Sequence, residues 1–192
     1  SFEQCIKILG NYKIVLVCPT SLDTSCYDSV AKKFNKKIFF EKFNQSYFSD
    51  LKGYNQLMLS IEFYKRFKPC KFLLIYQLDA WVFKDELEYW CKKGYSFIGA
   101  PWFEGMDKAN SESPFMGVGN GGFSLRRTNQ ILKLLRRKEY YQNLEKIFRI
   151  MKILPFFKRY SLINKTIRKM EIFNYCIGNE DYKIFVMSSY VK

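Results

Sequence analysis

Histidine is absent from the 192-residue chain, and that absence removes several chemistries at once. Ser-His-Asp triads, Cys-His pairs and His-containing zinc sites all need an imidazole. A general base must therefore be Asp, Glu, Lys, Tyr or Cys. Long apolar runs are also missing: none reaches the about 18–20 residues that a membrane-spanning helix needs. The opening "SFEQCIKILG" lacks the basic-then-apolar pattern of a signal peptide, so nothing there announces export. The six cysteines (Cys5, Cys18, Cys26, Cys70, Cys91, Cys176) form no C-x-x-C pair and show no metal-ligand spacing. Several sit in apolar segments, which points to reduced thiols in a cytosolic protein, with three disulfides the alternative by count.

Acidic residues are scarce in one region. Between Arg126 and Met170 there are 14 Lys/Arg against 2 Glu, a surplus of twelve within a net charge of +14. A coding bias toward lysine would spread the charge evenly, so its concentration implies a surface that meets something anionic. Apolar residues make up 48% and aromatics 19% of the chain, which excludes disorder and leaves enough to build a core.

Helical and strand patterns alternate along the chain. "EQCIKILGNY" reads as the end of a helix, "KIVLVCP" and "KKIFFEKF" as strands, and "SLDTSCYDSVAKKF" as a short helix between them. In "DLKGYNQLMLSIEFYKRF", Tyr54, Leu57, Met58, Ile61 and Tyr64 share one helical face, and Pro69 ends the helix. "FLLIYQL" has the uniform apolarity of a central strand covered on both faces. A helix in "KDELEYWCKKG", strands in "YSFIGAPW" and "GGFSLRR", and one or two basic helices from Thr128 follow. The alternation predicts an α/β sandwich around a mainly parallel sheet, folded as one domain over 1–192 without repeat or linker.

Three places carry candidate chemistry. Asp79 interrupts the apolar run "LLIYQLDAWVF", where an ionised carboxylate is costly unless something pairs with it. Its readings are a capping or turn acid paired with a lysine, or an oxygen ligand for a cation carrying a nucleotide diphosphate. "GVGNGG" (117–122) matches G-x-G-x-x-G formally, but a strand pattern rather than a helix follows, so it is not a dinucleotide fingerprint. Its glycines suit either a bulge at a strand entry or a close approach of main chain to a ligand. Glu180 and Asp181 in "GNEDYKIF" fit both a helix-start pair and a general base.

Taken in order, "LLIYQLDAWVFKDELEYW", "YSFIGAPWF", "GNGGFSLRR" and "GNEDYKIF" resemble a bacterial family catalogued as a domain of unknown function, itself similar to type-A-fold (Rossmann-like) glycosyltransferases of surface-polysaccharide clusters. The resemblance runs from "SFEQC" to the acid pair. It implies a sugar-nucleotide-dependent transferase whose fold lacks its first strand, since the chain starts in the helix that would follow it. Asp79 then takes the place of the metal-binding acid after the central strand, holding Mg²⁺ or Mn²⁺; Gln77 stands where a second acid is usual. Asn120, Gly121, Gly122 and Phe123 would line the sugar pocket with Trp102, and Arg126 or Arg127 would add charge near the phosphates. Asp181 or Glu180 would take the proton of a hydroxyl acceptor, glycan or lipid-linked. The expected location is the cytoplasm, with residues 126–170 resting peripherally on the anionic inner face of the membrane. No nucleic-acid partner is expected on this reading. Its alternatives are a basic polyanion-binding (nucleic-acid) module, or an inactive subdomain of a larger synthase.

Overall fold

The computed structural model describes residues 1–105, 108–118 and 121–151, with the side chains of 141–142 and 144–151 excepted. Its first half alternates helix and strand: α1 (Phe2–Leu9), β1 (Ile14–Pro19), α2 (Ser25–Lys33), β2 (Ile38–Phe43), a 3₁₀ turn (Gln45–Phe48), α3 (Leu51–Met58) and α4 (Ile61–Arg66). Then come β3 (Phe72–Tyr76), α5 (Leu87–Lys92), β4 (Phe97–Ile98), β5 (Pro101–Phe103), β6 (Phe115–Val118), β7 (Phe123–Arg127) and α6 (Thr128–Met151).

The helical face expected over 50–67 exists, but two helices share it. Asp50 caps α3 by accepting from the Gly53 amide at 2.6 Å, and Ser60 caps α4 by accepting from Phe63 N at 3.0 Å. A serine with extended backbone at Ser60 starts a second helix, because its hydroxyl satisfies an amide that has no intrahelical partner. Leu57, Met58 and Tyr64 are buried across the break.

The molecule is mixed α/β, and among the described residues its strands form small sheets, one parallel and two antiparallel. β1 and β2 pair in parallel, Ile14 opposite Ile38. β7 lies antiparallel between β3 and β4, with Tyr76 opposite Phe123 and Phe72 opposite Arg127. β5 and β6 form an antiparallel pair. The reversal has a local cause: the chain enters β7 beside the C-terminal end of β3, so it can only run back along it. β3 is half-buried at every position, less covered than its apolarity predicts. Among the described residues, β1 and β3 each pair on one side only.

The main core lies between the α3–α4 pair and α6. Phe43, Phe63, Tyr64 and Phe67 meet Ile131, Leu132 and Leu135, with Val15, Val17, Leu73 and Ile75 partly buried against them. Phe63 stands 4.9 Å from Phe67 and 5.8 Å from Phe43, in tilted pairs that add to plain burial. On another side α1 reaches two groups of strands. Cys5 and Leu9 pack with Val82, Leu74 and Tyr76, whereas Ile6 packs with Ala31, Ile38 and Ile14. The five cysteines among the described residues are free thiols. No helix among the described residues is long and apolar enough to cross a membrane.

Candidate functional site

β3 stops at Tyr76, where its hydrogen-bonding turns from ladder to loop. The Gln77 amide donates to the Gly122 carbonyl at 2.8 Å, and the Ala80 amide returns to the Gln77 carbonyl at 3.0 Å. Gln77–Ala80 is thus a tight turn, with Leu78 and Asp79 at its tip and both exposed. The solvent exposure of Asp79 corrects the apolar setting expected for it: water hydrates the carboxylate, and no internal partner is required. No hydrogen bond or ion pair engages Asp79 among the described residues. The segment beyond it alternates, Val82 buried and its neighbours Trp81 and Phe83 exposed at 52% and 83%.

The turn is clamped from behind. The Ala80 carbonyl accepts from the Tyr76 hydroxyl and from Ser1 Oγ, each at 2.9 Å, and the two hydroxyls lie 3.0 Å apart. Gln4 Nε2 donates to the Val82 carbonyl at 2.9 Å. Farther along, the Tyr12 hydroxyl donates to Asp85 at 3.1 Å; burial, with that carboxylate second, pushes the phenol pKa up. Ser1, Gln4 and Tyr76 therefore set where Asp79 points. None stood out from pattern alone, and a hydroxyl on the last residue of an apolar strand is the only signal that could have flagged Tyr76.

The glycine segment meets this turn directly. Gly121 and Gly122 lead into β7 beside Gln77, and the Phe123 ring packs edge-on against Tyr76 at 5.7 Å while remaining partly exposed. Below, Ser124 Oγ donates to the Gly121 carbonyl at 2.9 Å, and Arg126 Nη2 donates to the same oxygen at 3.2 Å. Arg126 is fully buried. Its Nε donates to Ser124 Oγ at 3.0 Å, its Nη1 to the Tyr64 hydroxyl at 2.8 Å, and its guanidinium lies 5.5 Å from the Phe97 ring centre. The arginine therefore acts on the loop through the Gly121 carbonyl, from within the protein.

Gln77, Asp79, Gly121, Gly122 and Phe123 are thus brought together at one end of the β3–β7 ladder. Trp102 stands on β5 opposite Gly117, in a different sheet, and is half-buried. Asn120, Glu180 and Asp181 lie outside the described residues. Among the described residues no three His, Cys, Asp or Glu side chains cluster in a way that could enclose a metal ion. Asp79 offers a single free carboxylate, which fits a cation that keeps its waters and takes its other ligands from a phosphate.

A family model described as a protein of unknown function, DUF5672, matches residues 37–189. The chain belongs to this family. The DUF5672 match takes in the Asp79 turn, the glycine segment and the acid pair, and leaves Ser1 and Gln4 of the clamp outside it. No curated protein and no solved structure gives a significant match.

Proposed function

We propose that this DUF5672 chain is a glycosyltransferase that moves a sugar from a nucleotide-sugar donor to a hydroxyl acceptor. One observation carries the reading: a free, exposed carboxylate, Asp79, is held on a clamped turn that is hydrogen-bonded to the glycine segment. Type-A-fold transferases are the resemblance that gives this pairing a meaning. Support for a single sandwich comes from α1, which packs against both β1–β2 and β3.

In the reaction the bond from the anomeric carbon to the phosphate oxygen breaks, and a bond to the acceptor oxygen forms. Asp79 would hold Mg²⁺ or Mn²⁺, which neutralises charge on the departing diphosphate when bound. Main chain at Gly121 and Gly122, which lacks side chains, lets the sugar come close, with Phe123 as an apolar wall and Gln77 as an amide at the turn. Arg126 positions the Gly121 carbonyl. Asp181 or Glu180 takes the acceptor proton. The acceptor is a glycan or a lipid-linked saccharide in bacterial surface-polysaccharide assembly, reached from the cytoplasmic face with the outward basic side chains of the 126–170 region against anionic lipid.

The test is hydrolysis and transfer with a panel of sugar nucleotides in Mg²⁺ or Mn²⁺. Wild type should turn over at least one donor, and Asp79→Ala should lose at least about a hundredfold, the scale of one preorganised electrostatic contact. Equal inertness of both proteins across the panel refutes the assignment and favours an inactive subdomain. Oligonucleotide binding without any sugar-nucleotide binding favours the polyanion module.

A further inference from the structure

At the end of the β3–β7 ladder away from Asp79, the chain enters α6. The Thr128 amide donates to the Lys71 carbonyl there, so the two ends are separated by the length of β3, about 15 Å. Beside it lies an open groove of about 480 Å³ between the residues that follow α4 and the first three turns of α6. Lys68 forms one wall; Lys133, Arg136 and Arg137 form the other, Asn129 stands at the entrance, and buried Leu132 supplies the floor.

Among the described residues the lining holds four cations and no carboxylate. All four are exposed, and none forms an ion pair among the described residues. Three cations elsewhere do find acids, Arg66 with Glu41 and Glu62, Lys84 with Glu86 and Lys92 with Glu88. Lys133 is three and four residues from Arg136 and Arg137, the two spacings at which like charges on a helix repel. The helix thus carries an electrostatic cost concentrated where a second element adds another cation. A multiply charged anion relieves it, and arginine's planar fork suits phosphate oxygens.

We propose that this groove binds a phosphate-bearing ligand, a phosphate monoester or pyrophosphate. The site is separate from the Asp79 turn and needs no divalent metal. The test titrates the full chain in EDTA with inorganic pyrophosphate, and in parallel with phosphatidylcholine vesicles with and without phosphatidic acid. The groove variant is Lys133→Glu with Arg136→Glu. Its control is Lys32→Glu with Lys33→Glu, an equal charge change at exposed positions of α2. Far-UV circular dichroism confirms folding, and Lys68→Glu probes the opposite wall should the double variant misfold. Losing charge-assisted contacts should weaken binding by at least about tenfold in the groove variant, while the control stays within about threefold. Binding of pyrophosphate identifies a soluble ligand, and binding only to phosphatidic-acid vesicles identifies a lipid headgroup; either supports the site. No binding in either arm, or an equal loss in the control, overturns it. So does a single-stranded oligonucleotide that binds more tightly and displaces both probes, since that marks a nucleic-acid surface.

Discussion

The buried guanidinium of Arg126 offers a quantitative test of how the glycine segment is held. Tyr64→Phe removes the hydroxyl that accepts from Nη1 at 2.8 Å, at a site with no exposure to water. A buried hydrogen bond to a charged group contributes about 1.5–3 kcal/mol, so the expected loss is about 2 kcal/mol. Arg126→Met removes three donated bonds together with the ring contact to Phe97, but it also ends the burial of a charge. Offsetting these terms leaves an expected loss of about 3 kcal/mol. The double variant should cost little more than Arg126→Met, because the Tyr64 hydroxyl no longer serves the guanidinium once that group is gone. The cycle thus predicts a coupling energy of about 2 kcal/mol. Urea unfolding followed by tryptophan fluorescence reads it: with a slope of about 2 kcal/mol per molar, Tyr64→Phe lowers the midpoint by about 1 M. If Tyr64→Phe costs the same in both backgrounds, or less than about 0.5 kcal/mol in the wild type, the guanidinium is not the anchor described.

Gly53→Ala should destabilise although alanine favours helix by about 1 kcal/mol. A Cβ there would collide with the Ser46 carbonyl oxygen, so a fall of several degrees in Tm is expected and a rise refutes the packing. Tyr76→Phe frees the Ala80 carbonyl from one of its two hydroxyl donors and should cost about 1 kcal/mol; faster amide exchange across residues 77–83 is the signature that separates this from general destabilisation. Cys26 is exposed, whereas burial pushes the Cys5 and Cys18 thiols above their ordinary value near 9.0. Iodoacetamide at neutral pH should therefore modify Cys26 while sparing those two. Because the folded thiols ionise later than the unfolded ones, their contribution is full below about pH 9 and declines as pH rises toward their folded values; a stability that increases from pH 8 to 10 refutes the burial.

Local apolar patterning made β1, β2 and β7 legible, since short runs rich in Ile, Val, Leu and Phe suit strands. Strand direction was not, because a run of apolar residues looks the same read along a parallel or an antiparallel neighbour. The α3–α4 break stayed hidden for a related reason: Tyr54, Leu57, Met58, Ile61 and Tyr64 keep one face across it, and only Ser60 marks the cap. Asp79 was correctly placed after the strand, but its surroundings were misjudged. Trp81 and Phe83 count as apolar in any sum over neighbours, yet they point outward while Val82 alone points in. Arg126 and Arg127 look alike in sequence. In the fold only Arg126 is fully buried, and it finds hydroxyls and a carbonyl from residues as distant as Tyr64.

One consequence follows from α1 resting on the turn that bears Asp79. An eight-residue helix does not persist alone in water, so α1 exists only while its packed face holds. Ser1 and Gln4 grip the carbonyls of Ala80 and Val82, and Cys5 and Leu9 cover Val82. The carboxylate's placement therefore has the lifetime of the helix. When α1 frays, the turn is released with it as one cooperative opening, well short of global unfolding. Conditions that loosen the first ten residues should reach the site long before they reach the Phe63 core.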